Sequence, residues 1–251
     1  MRIRVFETMQ EASIAGAEII AEAMRGADKF VLGLATGSTP VPMYRELARR
    51  NREGELNFAG VHTYNLDEYV GLDGTHPQSF RHFMDTNLFS HINIPMENTH
   101  VPCGTGAGRD ADARGYDAMI EAEGGIDVQV LGIGNNGHIG FNEPDAVFHR
   151  GTHIVDLTES TINANKRFFE RREDVPEQAI TLGVGGIMGA KKIILLAFGE
   201  VKADAVRAMV EGEVDPRCPA SILQLHGDVT LLLDKAAASG LSCLPAEGEN
   251  R

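Results

Sequence analysis

Apolar residues fall along this chain in two alternating rhythms. Runs rich in apolar residues at 29–34, 61–66, 126–131, 153–157, 192–198 and 229–233 have the length of strands, and several lack polar alternation, as strands buried on both faces do. Between them, residues 9–24, 40–50, 110–123, 160–171 and 201–211 repeat apolar positions every three to four residues, the spacing of a helix that buries one stripe. The predicted fold class is therefore α/β: a three-layer sandwich with a mostly parallel, Rossmann-like sheet covered on both sides. Ligands of such sheets bind beyond the carboxyl ends of the strands, so the segments that follow each strand are where chemistry is expected. No Pro/Ser-rich linker divides the 251 residues, a length that suits one catalytic domain. Residues 145–180 are the least periodic. Their charged helix runs into Arg171-Arg172-Glu173-Asp174 before Pro176, and a mobile lid is expected there.

Composition narrows the function. A net charge of −13 leaves no basic footprint for nucleic acid, so any anionic ligand must be small and meet a local positive site. Cys103, Cys218 and Cys243 are odd in number and without a CxxC pair, which argues against a disulfide framework or a structural zinc and for a reducing compartment. The first residues lack the apolar core of a signal peptide and the longest apolar run, residues 193–198, is too short to cross a bilayer, so a cytoplasmic protein without membrane contact is expected.

Three loops carry candidate chemistry. The run at 126–131 leads into LGIGNNGHIGFNEP, residues 131–144. Here Gly132, Gly134, Gly137 and Gly140 free the backbone, Asn136 is compatible with a left-handed turn, and His138 with Glu143 forms a candidate base and orienter. The same glycines satisfy GxGxxG, with Asp156 placed like a ribose-binding acid. Gly140, Pro144 and Gly151, however, interrupt the helix a dinucleotide fold requires, which disfavours that cofactor. Leu32 to Pro40, LGLATGSTP, resembles an anion nest in which Gly37, Ser38 and Thr39 cradle a phosphate before a helix with proline in its first turn. TYNLDEYVGL, residues 63–72, ends a strand in two acids that must point to opposite sides, so only one can face the site; Asp67 is the better candidate, with Glu68 then facing a helix or another subunit. Each loop also has a purely structural reading: a satisfied turn histidine, an ordinary capped turn, a surface acid. Arg167 and Lys202 are unremarkable cations singly; together with the nest they complete a phosphate site as planar fork and point charge.

Taken in order with NANKRFF, AITLGVGGIMGAKKIILLAFG and PASILQLH, these segments resemble the glucosamine-6-phosphate deaminase family over nearly the whole chain. FNEP after GHIG, with DEYVGL upstream, separates it from the related 6-phosphogluconolactonases. The resemblance implies conversion of glucosamine 6-phosphate and water to fructose 6-phosphate and ammonia with no cofactor and no metal. It implies Asp67 as the base that moves a proton from C2 to C1, His138 as the group that opens the sugar ring, and Glu143 as its orienter. Gly37, Ser38, Thr39, Arg167 and Lys202 would bind phosphate. Two departures stand out. Asn136 replaces the aspartate of enteric members, and His153 and Val155 stand among the positions of those members' cationic site for N-acetylglucosamine 6-phosphate, so activation by that compound is expected to be absent. A deaminase of the galactosamine epimer and a non-catalytic sugar-phosphate sensor are the rival readings. The partner is a small-molecule substrate; whether the chain is a monomer or a homo-oligomer is left open.

Overall fold

Long β-branched and leucine-rich runs become the central strands, and shorter polar ones the edges. The computed structural model describes residues 1–105, 109–166, 169 and 171–242. Its strands are β1 (Arg2–Phe6), β2 (Phe30–Leu34), β3 (Val61–Asn65), β4 (Asp67–Tyr69), β5 (Thr99–His100), β6 (Val128–Leu131), β7 (His153–Asp156), β8 (Gln178–Thr181), β9 (Lys192–Ala197) and β10 (Val229–Asp234). The helices are α1 (Met9–Met24), α2 (Val41–Arg52), α3 (Phe80–Asn87), α4 (Arg109–Ala122), α5 (Glu159–Asn165), α6 (Val184–Met188), α7 (Ala203–Glu211) and α8 (Lys235–Ala238). Helix α1 begins where Thr8 and Glu11 cap one another's backbone N–H groups, which satisfies two donors a helix start leaves open.

Seven strands form one sheet in the order β1-β10-β9-β6-β2-β3-β5, and every pairing in it is parallel. Strands β2 and β6 are buried at every residue, as expected of strands covered on both faces. From β2 the chain builds outward through β3 to β5; from β6 it builds the other way through β9 and β10. The reversal between β2 and β6 is a topological switch point, where diverging loops open a crevice at the carboxyl end of the sheet. The core is contiguous, with Leu32, Leu34, Val130, Leu131, Leu195, Leu231 and Leu232 all inaccessible to solvent.

The expectation for residues 153–157 needs correction. Strand β7 does not join the parallel sheet: it pairs antiparallel with β8, which pairs antiparallel with β4, in a separate sheet of order β4-β8-β7. Its side chains are only partly buried. Tyr69, Phe141, Leu157, Ile162, Val175 and Ala179 form a second apolar cluster that fastens α5 to the main body. The helix expected over 160–171 is shorter, ending at Asn165, and the one expected from 201 starts at Ala203 after a 3-10 turn over Glu200–Lys202. No helix among the described residues is long and apolar enough to cross a membrane.

Candidate active site

The segments singled out in the sequence follow β2, β3, β6 and β9, which are consecutive in the sheet as β9-β6-β2-β3. Since all four run parallel, Lys202, the 132–144 loop, Gly37 to Thr39 and Asp67 emerge at one edge and flank the switch point.

After β2 the chain turns at Gly37, whose φ of +91° is costly for a residue with a Cβ. Gly37 and Ser38 are exposed and Thr39 partly so, directly before α2. This turn is held from behind by Tyr44 of α2, whose fully buried hydroxyl donates to Ala35 O (2.5 Å) and accepts from Ala35 N–H (3.2 Å). Sequence reasoning missed Tyr44; an apolar stripe position does not reveal where a hydroxyl will land.

Asp67 opens β4 and is 6% exposed. Burial, and secondarily the charge of Glu68, push its carboxyl up to about 8, because an ionised group loses hydration there without a compensating cation. Glu68 points the other way, as the alternation required. It accepts from the N–H groups of Tyr69 (2.8 Å), Phe80 (2.8 Å) and Arg81 (3.0 Å), so it caps α3 and sets the direction of β4. The Asp67 carboxylate meets the 132–144 loop at Gly140: a methyl built there would lie 3.5 Å from Asp67 Oδ2 and 3.0 Å from Thr181 Oγ1. Thr181, opposite Asp67 in the β4–β8 register, accepts from Phe141 N–H at 3.1 Å, which seats the loop beside the acid.

Within that loop only Gly137 (φ +86°) and Gly140 (φ +60°) use the left-handed region. The left-handed turn anticipated at Asn136 is not formed, since no described non-glycine residue has positive φ; Gly137 takes that conformation instead. Gly134 serves by its size. A Cβ there would fall 2.3–2.5 Å from three ring atoms of His138, so the imidazole packs over its bare α-carbon. Gly134 N–H donates to His138 O (2.8 Å) and His138 N–H to Asn136 Oδ1 (3.2 Å), which fixes the backbone that carries the ring.

His138 Nδ1 lies 3.5 Å from Glu143 Oε2, an ion-pair distance longer than a hydrogen bond. The same oxygen accepts from Asn136 Nδ2 at 2.8 Å, and Glu143 Oε1 accepts from Thr161 Oγ1 on α5. Burial alone would raise the Glu143 carboxyl, but the proximity and charge of His138, with the donors Thr161 and Asn136, hold it below the ordinary glutamate value. Asn136 is thus a neutral brace for Glu143. Lys202 closes the other side, donating from Nζ to Asn135 Oδ1 at 2.6 Å, which places its ammonium against the 132–144 loop. Arg167 lies outside the described residues. Among the described residues no cluster of three or more His, Cys, Asp or Glu is arranged to hold a metal ion.

A buried carboxylic acid of raised pKa, an imidazole near an ionised glutamate, an exposed glycine–hydroxyl turn and a lysine held against the 132–144 loop suit proton transfer on a small phosphorylated substrate. Known proteins agree. The family of glucosamine-6-phosphate isomerases and 6-phosphogluconolactonases matches residues 6–232. A glucosamine-6-phosphate deaminase of Clostridium perfringens (strain ATCC 13124) is 53% identical over 95% of this chain and 98% of its own length, and one of Clostridioides difficile (strain 630) is 51% identical over 96% and 97%. Among solved structures, a glucosamine-6-phosphate deaminase described as monomeric superposes with a TM-score of 0.93 at 41% identity, covering 96% of this chain and all of that one. The 6-phosphogluconolactonase of Leishmania guyanensis reaches 0.76 at 23% identity, covering 96% and 98%, a likeness of fold alone. The lactonase shares the scaffold, whereas the deaminases share 41% to 53% of the residues as well, and by that likeness the chain belongs to the glucosamine-6-phosphate isomerase/6-phosphogluconolactonase family, among its glucosamine-6-phosphate deaminases.

Proposed function

We propose that the chain converts glucosamine 6-phosphate and water to fructose 6-phosphate and ammonia, with Asp67 as the base at C2. The observation that carries this reading is the position of Asp67, buried beside the loop that holds the His138–Glu143 pair. Ring opening requires a proton to leave the C1 hydroxyl and one to reach the ring oxygen, a shuttle suited to a braced imidazole. Moving the C2 proton to C1 then requires a carboxylate that is strongly basic when ionised, which burial supplies. The substrate brings its own counter-charge: an ammonium group at C2 beside Asp67 favours the carboxylate over the acid. A sensor that only binds sugar phosphate has no use for a buried base and a braced imidazole together. Ammonia release from glucosamine 6-phosphate, galactosamine 6-phosphate and 6-phosphogluconolactone, the last followed as acid production, tests the reading. Turnover of the first well above the other two is expected; preference for either of the others, or none at all, rejects it.

The phosphate is assigned to Gly37, Ser38, Thr39, Lys202 and Arg167. Single replacement of Lys202 or Arg167 by methionine is expected to raise KM about tenfold or more with kcat little changed, the pattern of a charged contact equal in ground and transition states. Unchanged KM in both variants would remove them from the site.

Activation by N-acetylglucosamine 6-phosphate is expected to be absent. Burial, with the neighbouring His149, lowers His153 below the ordinary histidine value despite its bond to Gly151 O, so it is neutral near pH 7, and Val155 offers no charge. His149 is engaged with Asp145 at 2.8 Å. A ligand without differential affinity for two states shifts neither. Substrate saturation curves with and without millimolar effector should be hyperbolic and superimposable; a sigmoidal curve straightened by the effector would contradict this.

A further inference from the structure

The Glu143 carboxylate is 6% exposed and its two oxygens are treated unequally. Oε2 faces both His138 Nδ1 and Asn136 Nδ2, whereas among the described residues Oε1 has a single donor, Thr161 Oγ1. Thr161 is itself buried, at 7% exposure, and its hydroxyl is committed on both sides. It accepts from Thr158 Oγ1 at 3.1 Å and gives its hydrogen to Glu143, while its own N–H donates to Thr158 Oγ1 at 3.3 Å as the helix cap. Consecutive hydroxyls polarised toward a carboxylate strengthen one another. The hydroxyl is also held in place by apolar packing, because Leu157 and Ile162 on either side of it belong to the small cluster with Tyr69 and Phe141. The carboxylate is therefore gripped from one side by its own loop and from the other by α5.

We infer that Thr161 is a positioning residue for the proposed deaminase reaction: its hydroxyl fixes the rotation of the Glu143 carboxylate, and so which oxygen faces the His138 imidazole. Without it Oε1 is buried with no donor, and the carboxylate turns to recover one from Asn136 or from water. Oε2 then leaves its place 3.5 Å from Nδ1, and the imidazole loses the nearby negative charge that favours a hydrogen on Nδ1 and leaves Nε2 free to take up a proton. Because Thr161 lies on α5 and His138 on the loop after β6, seating of α5 is linked to the state of the catalytic ring with no direct contact between Thr161 and substrate.

Thr161→Val keeps the branched shape and removes the hydroxyl; Thr161→Ser keeps the hydroxyl and removes a methyl group. The inference rests on the deaminase reading for its kinetic consequence only, so two readouts are paired. In ammonia-release kinetics Thr161→Val should lower kcat about tenfold with KM within about twofold, the scale of one charge-assisted hydrogen bond realised in the transition state, and Thr161→Ser should restore most of it. In 15N spectra of histidine-labelled protein, with His138 assigned by its loss in His138→Asn, the His138 ring signals should move in Thr161→Val and return in Thr161→Ser while the other histidines stay in place. Unmoved His138 signals in a folded Thr161→Val protein would overturn the inference, as would equal impairment of both variants with all histidine signals disturbed alike. If the wild-type protein released no ammonia the deaminase reading would fail, and the spectra would still decide the role of Thr161.

Discussion

Replacing Asp67 by asparagine is expected to lower kcat about a hundredfold or more, in the range usual for loss of a general base, while KM and the fold persist. Asparagine has the shape of the aspartic acid that the free protein holds at neutral pH, since the carboxyl is pushed up to about 8, so the variant should be well packed and catalytically empty. Exchange of the C2 hydrogen of glucosamine 6-phosphate with deuterium oxide checks the role directly. Exchange at the wild-type rate in Asp67→Asn would transfer the base function to another group. In the wild-type protein kcat/KM, which reports the free enzyme, should climb through neutral pH and level off above about 8. The same limb in kcat should lie lower, because the bound ammonium favours the carboxylate.

The same shift makes a stability prediction of definite sign. Between the unfolded value of 3.8 and the folded value of about 8, the native state holds a proton at Asp67 that the unfolded chain has lost. Stability contributed by this site is therefore present at low pH and declines through that window, flattening above it. Asp67→Asn has no such loss. It should be about as stable as the wild type at pH 4 and more stable at pH 9, by an amount on the order of a few kcal/mol. A variant no more stable than wild type at pH 9 would show that Asp67 is less desolvated than its burial indicates.

Such a group is hard to recognise in a sequence. The central sheet was legible because β2, β6, β9 and β10 are apolar almost throughout, and α1 was read at both ends because its apolar positions keep a helical spacing over the same residues 9–24 that the helix occupies. The small sheet was not. Strand β4 is Asp67, Glu68 and Tyr69, two acids and an aromatic, and becomes a strand only by pairing with Gln178–Thr181, far along the chain. Local preference says nothing about such a partner, and β7 was drawn into the wrong sheet for the same reason. The opposed directions of Asp67 and Glu68 could be deduced, since alternation is a property of any strand. What Glu68 does with its direction, capping α3 through three N–H groups, depends on where α3 docks. The 132–144 loop stood out through its glycines, yet their separate roles did not: two are needed for positive φ, and Gly134 for the space it leaves. Tyr44 and Thr161 carried no signal, because each acts through a single hydroxyl whose target is set by tertiary packing.

Gly134 and Gly132 separate size from backbone freedom in a paired test. Neither has positive φ among the described glycines, so alanine at either position suits the backbone. At Gly132 an added Cβ meets nothing within 4 Å, whereas at Gly134 it would lie 2.3 Å from His138 Cε1, 2.4 Å from Nδ1 and 2.5 Å from Nε2. No real Cβ sits so close, and the ring cannot yield by flexing a distal bond, since all three atoms belong to the rigid imidazole. It must swing away from Gly134 and out of register with Glu143 Oε2. A displacement of about 1 Å in a catalytic group costs on the order of a hundredfold in rate, so on the proposed mechanism Gly134→Ala should lower kcat by that factor while KM, which that proposal assigns mainly to phosphate contacts away from the ring, stays within a few-fold. Gly132→Ala should keep both constants near wild type, with a melting temperature equal or slightly higher because the unfolded chain loses freedom. Steady-state ammonia release from the two variants measured side by side decides the matter. Equal, near-wild-type activity would mean that the imidazole works from another rotamer, and the ring position over Gly134 would lose its catalytic meaning.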